Sequence, residues 1–367
     1  MGLKCGIVGL PNAGKSTLFN ALSNAGAETT NFPFSTVGQN VAIIPVPDER
    51  LNKIAELVKP YKITPAFLEI VDIAGLVKGA SEGKGRGNAF LSSIREVDLI
   101  LHVVRCFRDD NIIHVEGSND ALRDIRIIDD EIILKDLETI EKREQRLSTQ
   151  AKGGDKAVKE ELELVKRLRE FVEQGNKVRK FPVGNDREEK IIKELFLLTS
   201  KQVVYVCNVS ENHIPDGSGD SEVQKVRGFA ESEGSDVIVV CAKIESEIAQ
   251  LDQQERKLFL TEMGLTTSGL NRLIQVAFNK LGLITYFTAG PREVRAWTIR
   301  AGTKAPQAAG AIHSDFERGF IRAETIKYED FIAYGSESAV RESGKMRSEG
   351  KDYVVQDGDI MLFRFNV

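Results

Sequence analysis

The sequence predicts an α/β fold with a mostly parallel sheet, and two observations support this prediction. Apolar, strand-like runs alternate with helical patterns early in the chain, with strands expected at 4–8, 67–71 and 99–104. Such alternation is typical of a parallel sheet covered by helices on both faces. Between the first strand and the first helix lies a segment rich in small residues, 9–16, that reads GLPNAGKS. The N-terminal part is therefore expected to be an α/β domain with a ligand-binding loop.

A charged segment interrupts this alternation between about residues 131 and 198. It contains 16 Lys and Arg against 15 Asp and Glu, and its apolar residues recur at spacings of three and four: Ile133, Leu137, Ile140, Leu147, Val158, Val165, Leu168 and Val172. Two such stripes on either side of Gly153 and Gly154 predict a helical hairpin with coiled-coil character. The hairpin either braces the sheet or docks a partner, and the sequence favours neither.

The strand pattern resumes after the insertion, at 202–207 and 237–241. We therefore predict a discontinuous nucleotide-binding domain, residues 1–130 plus 199–281, with residues 131–198 as a helical insertion. After residue 281 the pattern changes to short strands and turns, and residues 282–367 are long enough for a small α+β domain.

Composition excludes several classes of function. The net charge of -5 argues against a broad basic surface that covers nucleic acid, and no sequence-specific DNA binding is expected. The C-terminal domain carries 12 basic and 12 acidic residues, so Arg292, Arg295 and Arg300 are either a local basic patch or a solvated strand face.

The chain is expected to be cytoplasmic and not to associate with membranes. No apolar run approaches the ~18 residues of a membrane span, and no cleavable signal is evident. Cys5, Cys106, Cys207 and Cys241 lack the CxxC spacing of a metal site, so we expect reduced, structural thiols.

Residues Gly9 to Ser16 fit the phosphate-loop pattern GxxxxGK[ST], between a strand and a helix that begins near Lys15. In that context the backbone N–H groups and the helix N-terminus surround phosphates. Lys15 is expected to bridge the β- and γ-phosphates and to act in catalysis, while Ser16 gives its hydroxyl to Mg²⁺. The nucleotide contacts expected from this loop are Asn12, Ala13, Gly14, Lys15, Ser16 and Thr17.

A second segment, Asp72-Ile-Ala-Gly75, follows an apolar run and so lies at the carboxyl end of a strand, where α/β proteins bind ligands. Asp72 suits the Mg²⁺ shell through a water molecule, and the N–H of Gly75 is expected to reach the γ-phosphate. Thr36 is the natural second hydroxyl ligand of Mg²⁺.

Leu76 stands where many GTPases carry the glutamine that orients the attacking water. Hydrolysis is therefore expected to be slow, or to use another group from this chain, a partner or a cation. Asn12 is a candidate ligand for a monovalent cation, and a simple hydrogen bond within the loop is the alternative.

GTPases of this class read guanine with Asn-Lys-x-Asp, and the corresponding place here reads Asn208-Val-Ser-Glu211. The longer glutamate displaces the carboxylate by more than a hydrogen bond tolerates, and Val209 replaces the lysine that packs on the base. We expect weakened guanine specificity, with adenine read through Asn208. Cys241, Ala242 and Lys243 are expected to complete the base pocket.

With these motifs the chain resembles the Obg-like ATPases, in the YchF branch of the translation-factor-related P-loop GTPases. The resemblance covers essentially the whole chain: the phosphate loop, Asp72-Ile-Ala-Gly75-Leu76, the glycine-rich segment up to Gly87, Asn111-Ile-Ile-His114-Val-Glu-Gly117, and Asn208-Val-Ser-Glu211. These motifs together are far more specific than a phosphate loop alone.

The resemblance implies a slow ATPase that binds ATP more tightly than GTP, with a C-terminal TGS domain of ubiquitin-like β-grasp form. It also implies association with the ribosome, with the large subunit as the expected site, and a role in translation or stress response. Mg²⁺ is the expected cofactor, K⁺ is a further candidate, and a monomer is expected. In that family a histidine at the position of His114 is thought to assist hydrolysis, although a lone loop histidine is more often ordinary.

Three functions remain open at this point. The first is an ATP-driven switch read by a ribosomal partner. The second is a GTP-specific ribosome-assembly factor in which Glu211 still reads guanine. The third is a non-catalytic adaptor whose nucleotide only stabilises the fold.

Overall fold

The computed structural model describes residues 3–27, 41–73, 91 and 93–366. The chain falls into two compact units. One comprises the described parts of residues 1–42 and 69–273, and the other comprises residues 43–68 and the described part of 274–367. None of the described helices is long and apolar enough to cross a membrane.

The strands follow one another along the chain as β1 (Lys4–Val8), β2 (Val41–Pro45), β3 (Lys62–Thr64), β4 (Phe67–Asp72), β5 (Leu99–Arg105), β6 (Gln202–Asn208), β7 (Asp236–Val240), β8 (Leu283–Ala289), β9 (Glu293–Arg300), β10 (Phe320–Ile326), β11 (Arg347–Glu349) and β12 (Ile360–Phe365). One six-stranded sheet has the order β2-β4-β1-β5-β6-β7, and another has the order β11-β10-β12-β8-β9-β3.

The α-helices are α1 (Lys15–Ala27), α2 (Glu49–Val58), α3 (Ala121–Gln150), α4 (Lys156–Glu173), α5 (Asp186–Glu194), α6 (Ser221–Glu233), α7 (Ala242–Ile248), α8 (Gln253–Glu262), α9 (Gly269–Lys280), α10 (Ala305–Ile312), α11 (Ser314–Arg318), α12 (Tyr328–Tyr334) and α13 (Glu337–Glu342). Short 3-10 helices lie at Ala151–Gly153, Val178–Lys180, Leu198–Ser200 and Glu211–His213.

The first sheet confirms the predicted parallel α/β architecture. β1 pairs in parallel with β4 and β5, and β6 pairs in parallel with β5 and β7. Every residue of β5 is buried, as expected for a central strand covered on both faces. The carboxyl ends of these strands share one edge of the sheet, and Asp72 on β4 is level with Ile7 on β1. All four cysteines are buried and free, as predicted.

The predicted helical hairpin consists of α3 and α4. α3 begins ten residues before the predicted start of the insertion, because the Asp120 side chain caps the helix by accepting a hydrogen bond from the Arg123 amide at 3.1 Å. The first turns of α3 pack on the sheet through Ile125 and Ile128. Its later turns pack on α4 in a separate apolar core, so one helix belongs to both layers.

The second sheet contains a segment that the sequence analysis assigned to the nucleotide-binding domain. Residues 43–68 belong to the second compact unit, where β3 pairs in parallel with β9 and Arg50 binds Asp357 at 2.7 Å. Pairing between strands more than 200 residues apart leaves no trace in local periodicity. The rest of the three-part domain division, and the TGS assignment of residues 282–367, stay predictions.

Candidate functional site

The loop between β1 and α1 depends on its two glycines. A Cβ atom on Gly9 would lie 2.4 Å from the Val103 carbonyl oxygen, and one on Gly14 would lie 2.2 Å from the Asn208 amide nitrogen. Gly14 also has a φ of 96°, in the region that favours glycine. The loop therefore packs directly against neighbouring strands, and larger residues at these two positions would push it away.

Lys15 is buried at the start of α1, and its ammonium donates a hydrogen bond of 2.7 Å to the Leu10 carbonyl oxygen. Burial lowers the pKa of Lys15 to about 8, although the negative charge of Asp72 opposes this change. An anionic ligand would favour the charged form of this side chain. The loop thus holds a buried cation that an anionic ligand would stabilise further.

Asp72 lies at the carboxyl end of β4, and its Oδ1 atom is buried with no hydrogen-bond partner among the described residues. Burial raises the pKa of Asp72, and the Lys15 ammonium partly offsets this rise. A buried carboxylate oxygen without a partner is costly unless a cation or water satisfies it. Ser16, the other described candidate ligand for Mg²⁺, is exposed.

The remaining predicted phosphate-side residues, Thr36, Gly75 and Leu76, lie outside the described residues. Within the described part of the chain, no group of three or more His, Cys, Asp or Glu side chains is arranged to hold a metal ion. A divalent cation at Ser16 and Asp72 would therefore need further oxygen ligands, such as phosphates and water.

Next to the phosphate loop lies a cavity of about 500 Å³. The loop lines one side of it, and residues after β5, β6 and β7 line the rest: Asn12, Gly14, Thr17, Phe107, Arg108, Asp109, Ile112, Asn208, Val209, Ser210, Glu211, Asn212, Cys241, Ala242 and Lys243. The structure thus brings the predicted base-reading residues and the phosphate loop together. The volume of this cavity lies within the range of small-molecule binding sites.

Asn208, the last residue of β6, joins two walls of this cavity. Its amide nitrogen donates to the Ala13 carbonyl at 3.0 Å, and its oxygen accepts from the Ala242 amide at 2.9 Å. The side chain is buried, and one amide hydrogen has no acceptor among the described residues. Base recognition by Asn208 would therefore use that hydrogen, because the oxygen already holds the start of α7 in place.

Glu211 and Lys243 form an ion pair of 2.5 Å at the rim of the cavity, and the hydrogen bond that the Lys243 ammonium donates to Glu211 raises the pKa of Lys243. Val209, which stands at the position of the lysine in the Asn-Lys-x-Asp pattern, is buried and lines the cavity. Cys241 is also buried, and this burial raises its pKa, so the thiol stays protonated at neutral pH. Glu211, which stands at the position of the aspartate in the guanine-reading pattern, is thus already paired with the Lys243 ammonium.

One wall of the cavity was not predicted from the sequence. Phe107, Arg108, Asp109 and Ile112 follow β5, and their loop ends at the same edge of the sheet as the other cavity segments. The general rule that ligands bind beyond the carboxyl ends of parallel strands could have identified this loop.

His114 does not line the cavity. Its Nε2 atom lies 2.8 Å from Oδ2 of Asp124 on α3, and its Nδ1 atom accepts a hydrogen bond from the Glu116 amide at 3.1 Å. The imidazole is 6% exposed. In this arrangement His114 holds the loop against α3, and its proposed catalytic role stays a prediction.

The phosphate loop, the parallel sheet and the cavity at its carboxyl edge define a P-loop nucleoside triphosphatase of the GTPase class. Residues 4–147 match the family model described as 50S ribosome-binding GTPase. Residues 283–366 match the model YchF-GTPase_C, described as a protein of unknown function. The chain belongs to the YchF family, as its full-length relatives show.

Two of these relatives are named ribosome-binding ATPase YchF. The protein of Bacillus subtilis (strain 168) is 56% identical and that of Haemophilus influenzae is 53% identical, and each alignment covers 100% of both chains. A solved structure, the YchF GTPase of Schizosaccharomyces pombe, is 41% identical with a TM-score of 0.90, covering 99% of this chain and 98% of that one. The predicted fold class and family are therefore confirmed.

Proposed function

We propose that this chain binds ATP in preference to GTP, hydrolyses it slowly, and acts as a ribosome-associated switch in translation or stress regulation. The observation that supports ATP over GTP is the ion pair between Glu211 and Lys243 at the rim of the cavity. Guanine recognition needs a free carboxylate to accept hydrogen bonds from two base nitrogens. A carboxylate bound to an ammonium is a poorer acceptor for them.

Asn208 does not by itself separate the two bases. It has one amide hydrogen without an acceptor among the described residues, and N7, the atom that this hydrogen would reach, is an acceptor in both adenine and guanine. The apolar side chain of Val209 and the ring of Phe107 also suit either purine. The proposed preference for adenine therefore depends on the ion pair between Glu211 and Lys243, which weakens guanine recognition.

The residues on the phosphate side fit Mg²⁺. A hydroxyl from Ser16 and a carboxylate from Asp72 are hard oxygen ligands, and the Oδ1 atom of Asp72 is buried without a partner among the described residues. We propose that Ser16, Asp72 and Thr36 hold Mg²⁺ together with phosphate oxygens. Bound there, the ion would neutralise part of the charge that develops on the transferred phosphoryl group.

Lys15 and Asn12 complete the proposed phosphate site. The Lys15 ammonium would exchange its hydrogen bond to the Leu10 carbonyl for one to a phosphate, which regains the charge stabilisation that burial removes. The Asn12 amide nitrogen donates to the Ile113 carbonyl at 2.9 Å. Its oxygen accepts no hydrogen bond within the described residues, and we propose it as a ligand for K⁺.

The ribosome enters this proposal through the relatives, which are named for ribosome binding and cover the whole chain. We propose that a monomer in the cytoplasm docks on the large subunit, with the C-terminal domain as a TGS domain. Thr36 and the segment that begins at Gly75 would differ between the ATP and ADP states. The ribosome would then read that difference.

The test compares ATP and GTP hydrolysis by the purified full-length chain, with and without large or small ribosomal subunits, in KCl and in NaCl. We expect faster turnover with ATP, stimulation by the large subunit, and a higher rate in KCl. A Lys15→Ala protein should lose turnover under every condition. Tighter binding and faster hydrolysis of GTP would reject the proposed base preference.

A GTP-specific ribosome factor is the second candidate, and it is favoured by the description of the matching family model and by the name of the solved relative. Competition between ATP and GTP for the same protein separates the two functions. A non-catalytic adaptor would instead bind ribosomal subunits equally well as wild-type and as folded Lys15→Ala protein.

A further inference from the structure

Arg105, the last residue of β5, hydrogen-bonds three carbonyl groups of the loop that follows it. Its guanidinium donates to the Ile112 oxygen at 2.9 Å, to the Asp109 oxygen at 3.3 Å and to the Phe107 oxygen at 3.4 Å. The side chain is buried, with 4% of the residue exposed. One buried cation thus hydrogen-bonds the beginning, middle and end of a short loop.

This arginine is not part of an ion pair within the described residues. Its Nη1 atom is buried and has no hydrogen-bond partner there. Burial lowers the pKa of Arg105, and the charges of Asp109 and Asp124 oppose this change. A buried guanidinium whose hydrogen bonds within the described residues all go to carbonyl oxygens is a costly way to gain stability. Because Arg105 lies beside the nucleotide cavity, this cost in free energy points to a role in shaping the cavity.

The loop held by Arg105 is also tied to the other walls of the cavity. The amides of Cys106 and Phe107 both donate to the Asn208 carbonyl, at 2.9 and 3.1 Å. Asn12 of the phosphate loop donates to the Ile113 carbonyl at 2.9 Å. The loop is therefore fixed at both ends, and the contacts of Arg105 determine the path between them.

That path carries four of the residues that line the cavity: Phe107, Arg108, Asp109 and Ile112. The Arg105 guanidinium also lies over the Phe107 ring, with Cζ 4.5 Å from the ring centre, a cation–π distance. The same group thus holds both the backbone of this wall and its one aromatic side chain.

We infer that Arg105 is a positioning residue for the nucleobase, which acts through the loop 106–113. The inference rests on the proposed function, because it assumes that the cavity holds the base of the bound nucleotide. A guanidinium has five donors in a planar fork, whereas a lysine ammonium is a single compact donor group. Arg105→Lys should therefore keep the charge but lose the shape of the wall.

The experiment separates base binding from phosphate binding in the same protein. Dissociation constants for ATP and for inorganic tripolyphosphate, both with Mg²⁺, are measured by calorimetry for wild-type, Arg105→Met and Arg105→Lys. Tripolyphosphate uses the phosphate loop but has no base. Arg179→Met is the matched control, since the Arg179 side chain is only 8% exposed but contacts Glu233 and does not line the cavity.

We expect ATP to bind about tenfold more weakly to Arg105→Met, the loss that accompanies about 1.4 kcal/mol, while tripolyphosphate affinity changes less than about twofold. Arg105→Lys should fall between Arg105→Met and wild-type. In steady-state hydrolysis, KM for ATP should rise with little change in kcat. Arg179→Met should lower the unfolding midpoint in urea but leave the ratio of ATP to tripolyphosphate affinity unchanged.

Two results would overturn the inference: an Arg105→Met protein with wild-type ATP affinity, or one in which both ligands weaken equally. If wild-type itself binds ATP no more tightly than tripolyphosphate, the proposed function fails instead, because the cavity then does not hold a base.

Discussion

Two clusters of buried charge in the first unit are built in opposite ways. At the root of the hairpin, Lys177 contacts Asp129 at 2.6 Å and Glu233 at 2.7 Å, and Arg179 contacts Glu233 at 2.6 Å. The hydroxyl of Tyr205 on β6 also donates to Glu233, at 2.9 Å. This cluster, which we call the hairpin root, pairs its cations with its own carboxylates and joins the insertion to the sheet, although Nε of Arg179 is buried without a hydrogen-bond partner within the described residues.

At the nucleotide edge of the sheet, by contrast, three charged groups have no charged partner in contact within the described residues. Lys15 donates to a carbonyl, Asp72 has an unpartnered Oδ1, and Arg105 has an unpartnered Nη1 within the described residues. Buried charges that pair with one another stabilise the structure, while buried charges without such partners are available to bind a ligand or to position the residues around it. Substitutions should therefore have opposite effects in the two places.

The largest effect on stability is expected from Glu233→Gln at the hairpin root. The change leaves Arg179 buried without its carboxylate, and breaking a buried pair typically costs about 3–5 kcal/mol. Urea unfolding at pH 7 measures this loss. Glu160→Gln, whose carboxylate is half exposed and pairs with Arg187, is the matched control and should cost less than about 0.5 kcal/mol. Equal costs at the two sites would contradict the comparison.

The same variant gives a pH test. Burial by itself raises the pKa of Glu233, but hydrogen bonding and the charges of Lys177 and Arg179 outweigh it, so the net pKa lies below the ordinary 4.5. A carboxyl with a lowered folded-state pKa stabilises the protein above its unfolded-state value, and this contribution is lost as the pH falls through the folded-state value. The stability difference between wild-type and Glu233→Gln should therefore shrink below about pH 4.5.

Lys15→Met is expected to weaken Mg·ATP binding by about 100-fold, because a charge-assisted hydrogen bond to phosphate is lost. Unlike Glu233→Gln, it should not lower the free energy of unfolding without nucleotide, since it removes a buried cation. Because the pKa of Lys15 is lowered to about 8, ATP binding to wild-type at pH 8 should take up protons, and this uptake should disappear in Lys15→Met. Calorimetry in two buffers with different ionisation enthalpies measures it.

Asp72→Asn tests the buried carboxylate oxygen that has no partner within the described residues. Without nucleotide, we expect a gain in stability of about 1 kcal/mol at pH 7, because a buried carboxylate oxygen without a partner is replaced by a neutral group. The pKa of Asp72 is raised by burial, so the gain should vanish as the pH falls below the ordinary 3.8. Mg²⁺-dependent ATP affinity should fall in the same variant. A less stable Asp72→Asn protein would mean that the carboxylate is satisfied structurally.

The smallest effect is expected from Lys243→Met at the rim of the cavity. The lysine side chain is 71% exposed, so unfolding in urea should hardly change. Releasing Glu211 should, however, improve GTP binding relative to ATP by about threefold, within the range of a single hydrogen bond. Competition binding of the two nucleotides measures the ratio. An unchanged ratio would show that the ion pair does not set base preference.

Motifs that act through consecutive residues were predictable from the sequence. The phosphate loop, the strand that ends at Asp72 and the apolar stripes of the hairpin all depend on local spacing, and the structure places them as expected. The start of the hairpin was predicted ten residues late, because the first turns of α3 face the sheet and only the later turns face α4. A single helix with two different buried faces gives no sharp boundary in its pattern.

Contacts between distant segments were not predictable in the same way. The assignment of residues 43–68 to the second unit depends on the pairing of β3 with β9. The pairing of His114 with Asp124, and of Glu211 with Lys243, depends on how loops fold back on the sheet edge. Hydrophobic periodicity reports which face of an element is buried, but not which side chain it meets.

Local sequence was enough to predict the phosphate loop at Gly9 to Ser16, because such a loop works through backbone N–H groups whose geometry is set by neighbouring residues. The residues Asn208 and Glu211 were likewise enough to show that the predicted base site departs from the Asn-Lys-x-Asp pattern. Which of the buried charges are paired became clear only from the folded chain. Lys177 and Glu233 are 56 residues apart in the sequence and are in contact, whereas Arg105 hydrogen-bonds carbonyl oxygens of the loop that follows it. Pairing between distant charges is a property of the packed chain, since burial and distance, not spacing, decide it.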